Sequence, residues 1–136
     1  MNERILIISD DETNASLQRP LDEHGFTVTL AQNADDGYRR LSQLQFDLVI
    51  VNLHHPITGV GLIKRIRSNL ALRRLMVLTI AEWGTGQPTM ALAQGVDGFE
   101  PSPIDADRLL TAVEKLLRPN MVMTAAASAT KAESEE

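Results

Sequence analysis

The chain has 136 residues, no cysteine, and a formal net charge of −5 carried by mixed signs, with aromatics at only 4%. That length favours one domain with a real hydrophobic core. The composition excludes a disulfide framework, thiolate metal sites and thiol nucleophiles, and it gives neither the basic footprint nor the stacking platform of a nucleic-acid binder. No apolar run approaches the ~20 residues that span a bilayer. Met1-Asn2-Glu3-Arg4 runs straight into a strand-like segment without the shape of a signal peptide, so a cytoplasmic, membrane-free protein is expected.

Arg4–Ser9 (RILIIS) reads as a first buried strand, with Asp10-Asp11-Glu12 at its carboxyl end. Thr13–His24 reads as a helix stopped by Gly25, and Pro20 inside it predicts a kink or a late start. Phe26–Ala31 alternates apolar and polar residues, as a half-buried edge strand does. Asn33 is a candidate N-cap for a helix over Ala34–Gln43, with Tyr38, Leu41 and Leu44 on one face.

Phe46–Asn52 (FDLVIVN) is the centre of the pattern. Its continuous apolar run suits a central parallel strand, and it ends on an amide. The chain turns at Pro56 and Gly59, and Gly61–Asn69 is expected to be a surface helix. Leu62, Ile63 and Ile66 face inward there, with Lys64, Arg65 and Arg67 outward. Leu75–Ile80 is a fourth strand. A Gly/Pro loop follows, then a short fourth helix from Pro88 to Gln94. Val96–Phe99 is a fifth strand, Pro101-Ser102-Pro103 a rigid turn, and Asp105 caps a last helix over Ala106–Leu117.

Five strands alternating with five helices predict a parallel α/β sheet with helices on both faces. Residues 1–118 form the expected domain. Residues 119–136, small, polar and acid-ended, read as a flexible tail or truncated linker.

In a parallel sheet the carboxyl strand ends share one edge, where ligands and chemistry collect. That edge gathers Asp10, Asp11, Asn52, Thr79 and Ser102. Asp10-Asp11, the FDLVIV strand, Pro56, Leu78-Thr79, the segment Gly95–Phe99 and Pro103, in this order and spacing, resemble the receiver domain of two-component response regulators. The likeness covers about Arg4 to Leu117. It implies the flavodoxin-like (CheY-like) fold with strand order 2-1-3-4-5. It also implies an acid pair holding Mg²⁺, an Asp at the Asn52 position as phosphoacceptor, a Lys at the Ser102 position, and switch residues at Thr79 and Phe99.

Two of those positions depart from the family. Asn52 cannot form an acyl phosphate, and Ser102 cannot supply a positive charge. Together they remove one charge of each sign. Ile80 is bulky where the family has a small residue, which is expected to restrict the site. His54-His55 has no third ligand in view, and neighbouring side chains on an extended segment diverge.

The leading expectation is therefore a pseudo-receiver: not an enzyme, but a phosphorylation-independent protein-interaction module in two-component (phosphorelay) signalling. No cofactor is expected; Mg²⁺, if bound, would be held weakly by Asp10, Asp11 and Asn52. The resemblance implies partner proteins or a homodimer through the face of the fourth helix, fifth strand and fifth helix (Gln87–Gln94, Val96–Phe99, Asp105–Arg118). Trp83, after the fourth strand, is either incidental or part of a partner contact. The alternatives are a conventional phosphorylated, Mg²⁺-using receiver and, third, a flavodoxin-like enzyme or cofactor binder. The third lacks a Gly-rich phosphate loop after the first strand.

Overall fold

The computed structural model describes residues 3–10, 14–52, 56–81, 95–101 and 103–118. Five strands, β1 (Arg4–Ser9), β2 (Thr27–Ala31), β3 (Leu48–Asn52), β4 (Met76–Ala81) and β5 (Gly98–Pro101), form one sheet in the order β2-β1-β3-β4-β5. Every pairing is parallel. The described α-helices are α1 (Asn14–Glu23), α2 (Ala34–Gln43), α3 (Pro56–Ser68) and the C-terminal α4 (Ala106–Leu117), with a 3₁₀ turn at Leu70–Leu72. The expected fold class is observed; the short helix expected from Pro88 to Gln94 lies outside the described residues.

The central strands bury both faces, so their side chains divide into two cores. Leu6, Ile8, Val49, Val51 and Val77 pack against Leu41 of α2 and Leu62, Ile63 and Ile66 of α3. Ile5, Ile7, Leu48, Ile50, Leu78 and Ile80 pack against Leu17 and Leu21 of α1 and Leu109 and Val113 of α4. Two glycines show how tightly this is built. A Cβ on Gly37 of α2 would lie 2.6 Å from Ile8 Cγ1, so only glycine lets the helix approach β1 that closely. Gly95 has φ +86°, a left-handed conformation that disfavours side chains.

Local chemistry sets the helix ends. Asn33 Oδ1 accepts from the Asp36 amide at 2.8 Å, and Asp105 Oδ1 from the Arg108 amide at 2.8 Å, so both expected N-caps are present.

Four boundaries differ from expectation. α1 runs through Pro20 and starts at Asn14, because packing of Leu17 and Leu21 outweighs one lost backbone hydrogen bond. α3 begins at Pro56, five residues before the expected Gly61. Proline is pre-organised for a first helical position, and the glycines of Thr58–Gly61 are tolerated within the helix. β5 is displaced two residues, to Gly98–Pro101, with proline allowed because this is an edge strand. Leu44, expected to share a face with Tyr38 and Leu41, falls just past α2 as its C-cap and is 46% exposed.

Candidate functional site

The site grows from where β1, β3 and β4 stop. Parallel register sets Ser9 beside Asn52, Val51 beside Thr79, and Thr79 beside Phe99. Asp10 follows β1 directly and is exposed, Ser9 is buried, and Asn52 and Phe99 are half-buried. Asp10, Asn52 and Thr79 thus reach one edge, as the sequence predicts, and Phe99 lies next to Thr79 in register. Asp11, Ser102, His54, His55 and Trp83 lie outside the described residues.

Strand alternation sorts these groups further. Asn52 continues the Leu48–Ile50 face, under α1 and α4, and Ile80 shares that face. Thr79 continues the Val77 face, under α2 and α3, with Phe99 next to it in register. Ile80 is 2% exposed and packs in the α1/α4 core, so its bulk fills the layer beneath Asn52.

Thr79 carries the polar anomaly of the site. It is 6% exposed, and its Oγ1 has no hydrogen-bond partner among the described residues. A buried hydroxyl without a partner costs about 1–3 kcal/mol. The group sits in the carboxyl half of β4, on the face packed against α2 and α3.

The donor set tests the implied Mg²⁺. Among the described residues no three His, Cys, Asp or Glu gather closely enough to hold a metal ion. Asp10 offers a carboxylate and Asn52 a neutral amide oxygen. Mg²⁺ draws its affinity from hard anionic oxygens, commonly carboxylates together with substrate phosphate. Asp10 and Asn52 are the described members of the expected ligand set, whose second carboxylate, Asp11, lies outside the described residues.

Away from this edge, Arg67 near the end of α3 forms a clamp the sequence pattern hides. Its Nε donates to Gly95 O at 2.8 Å and Nη1 to Leu75 O at 2.9 Å, while Nη2 pairs with Asp97 Oδ2 at 2.5 Å. Asp97 Oδ2 also accepts from the Val77 amide at 2.8 Å. The clamp ties the end of α3 to the start of β4 and to the residues entering β5, and so fixes the strand that carries Phe99. Helical periodicity placed Arg67 outward. The only sequence hint was an acidic residue, Asp97, immediately before the strand.

Comparison with known proteins agrees with this architecture. The family described as "Response regulator receiver domain" matches residues 5–114. Protein PetR of Rhodobacter capsulatus is 31% identical over 116 residues, covering 84% of this chain and 48% of PetR. The probable transcriptional regulatory protein SilR of Salmonella typhimurium is 34% identical over 118 residues, covering 85% and 51%. The chain thus spans about half the length of these curated relatives. A CheY-like receiver domain protein from Methanospirillum hungatei superposes with a TM-score of 0.80 at 20% identity, over 90% of this chain and 99% of the other. Family match, strand order and the polar groups at the carboxyl edge converge: the chain belongs to the response regulator receiver domain family.

Proposed function

We propose that this receiver domain acts in two-component signalling as a phosphorylation-independent protein-interaction module. The observation that carries the reading is Asn52, which ends the central strand beside Ser9. An amide there has no carboxylate oxygen to attack a phosphoryl donor, so no acyl phosphate forms by the family route. Ser102, in the lysine position of the resemblance, brings no compensating cation. A two-state switch needs an interaction that differs between its states. In this reading that interaction is a protein partner or a second copy, engaging the face that includes β5 and α4. Mg²⁺ binds weakly at most, and the setting is the cytoplasm.

Incubation with acetyl phosphate and Mg²⁺, followed by intact-mass measurement, tests this. No stoichiometric adduct is expected. An adduct mapped to the carboxyl edge would overturn the reading in favour of a conventional receiver. That second reading draws support from Thr79, whose buried hydroxyl has no hydrogen-bond partner among the described residues. Asn52→Asp alone is expected to leave phosphorylation poor, because the counter-charge is still missing. Adding Ser102→Lys is expected to raise it. Robust Mg²⁺-dependent labelling of the single variant would show that the cation matters less than argued.

A further inference from the structure

The partner face proposed above includes α4, which packs with α1 on one side of the sheet; α2 and α3 pack on the other. That second layer has a charge of its own. Between Gln32 and Leu75 stand seven lysines and arginines and three aspartates, in a chain whose net charge is −5. A groove of about 760 Å³ runs between the two helices. Tyr38 of α2 lines one side, Gly61, Lys64, Arg65 and Ser68 of α3 line the other, and Leu70 of the 3₁₀ turn stands at the end. The α3 residues recur at i, i+3, i+4 and i+7, so they form one stripe about 10 Å long.

Gly61 is the unexpected member of that stripe. A Cβ there would meet nothing within 4 Å, in contrast to Gly37, and the positive-φ glycines among the described residues are Gly25 and Gly95. Glycine inside a helix costs stability relative to alanine. The described fold gains neither a close contact nor an unusual conformation from the missing side chain. What the glycine leaves is a gap in the groove wall, where another backbone can approach α3.

The rest of the wall is already set. The Arg65 guanidinium lies 4.2 Å from the centre of the Tyr38 ring, and its Nη1 donates to Asp35 Oδ1 at 3.2 Å. Asn69 Nδ2 donates to the Tyr38 hydroxyl at 2.9 Å. An occupant therefore meets ordered side chains, which lowers the cost of binding. Two groups are left over. Lys64 is exposed and its ammonium pairs with no carboxylate among the described residues, and Leu70 is 79% exposed. They call for a carboxylate and an apolar side chain, spaced along a segment that crosses Gly61. A short acidic stretch of protein supplies all three. A nucleic acid does not: it has no apolar side chain for Leu70, and it would run past the groove onto the remainder of an acidic chain.

We propose that the α2–α3 groove docks an acidic helix of a partner protein, with a carboxylate on Lys64, an apolar side chain on Leu70 and the helix axis over Gly61. Laying a helix into a groove about two turns long is a recurrent mode of recognition. The contact is independent of chemistry at Asn52. Because it lies across the sheet from α4, the domain can hold this partner and another at the same time.

The probe is a designed peptide helix with glutamates along one side and a leucine stripe beside them. It is titrated into the full chain at low salt and followed through the chain's amide resonances. A second peptide has glutamine in place of every glutamate. The glutamate peptide is expected to shift Gly61, Lys64, Ser68 and Leu70, and the glutamine peptide to bind about tenfold more weakly. Lys64→Glu is expected to weaken the glutamate peptide at least as much. Gly61→Gln fills the gap with a good helix former: its urea midpoint is expected to rise while the affinity for the peptide falls about tenfold. A lowered midpoint would overturn the proposal, since the glycine would then serve the fold. So would unchanged affinity in either variant, or shifts centred on α4. A short DNA duplex that shifts the same amides with equal affinity would overturn it in favour of a polyanion. Shifts that grow with protein concentration alone would overturn it in favour of a second copy.

Discussion

Replacing Arg67 with methionine measures what the α3 clamp contributes. Methionine keeps the apolar stem and removes the guanidinium. Two bonds to main-chain carbonyls are lost, at Gly95 and Leu75, with the ion pair to Asp97. Bonds from a charged donor are worth about 1.5–3 kcal/mol when fully buried, and about 1 each at this partial exposure. Arg67 and Asp97 side chains are 23% and 32% exposed, so the ion pair adds only about 0.5–1. The expected loss is about 2–3 kcal/mol. In a urea titration with a slope of about 1.5 kcal/mol/M, the midpoint should fall by about 1.3–2 M. Arg67→Lys, which keeps the charge but cannot reach all three acceptors, should lose about half as much. If Arg67→Met stays within about 0.5 kcal/mol of the parent, the size of an ordinary surface substitution, the three bonds do not lock β5 to α3 as argued.

Gly37→Ala should destabilise by about 1–3 kcal/mol despite alanine's better helix propensity, because the new methyl meets Ile8; combining it with Ile8→Val should recover part of the loss in thermal unfolding. Thr79→Val replaces a buried hydroxyl that has no partner among the described residues with a methyl of the same shape, and is expected to be neutral or to stabilise by about 1 kcal/mol. A clear destabilisation would mean that the hydroxyl has a partner in solution. The Arg118 guanidinium, hydrogen-bonded to Glu3, holds the Glu3 carboxyl below its ordinary value of 4.5. Its stabilising effect is therefore complete above that value and is lost as pH falls through the lowered one. The stability difference between parent and Glu3→Gln should be constant near neutrality and shrink in acid; a difference that does not change across that range would argue against the pair.

How far the sequence could be read depended on whether the signal was local. β1, α2 and α4 were recovered to the residue, since apolar period and capping side chains both lie within the element. The start of α3 was missed because two glycines suggested a loop, although Pro56 was a helix-start signal in plain view. The displacement of β5 has a tertiary cause: Asp97 spends its carboxylate on Arg67 and the Val77 amide just before the strand begins. The carboxyl edge was readable because a parallel sheet leaves little choice about where strand ends meet. That the Thr79 hydroxyl has no partner among the described residues, and that Asn52 and Thr79 belong to opposite faces, needed coordinates.

The two outer strands say something about how this domain meets others. A sheet edge offers unpaired main-chain groups that can template another strand. β5 is four residues long and ends in Pro101, which has no N–H to offer, and β2 at the far side is five residues long with an exposed Thr27 at its start. Neither edge is a long, flat apolar template. Copies of this domain can therefore crowd together without zipping into a continuous sheet, and lasting association falls to side-chain surfaces, where specificity can be written.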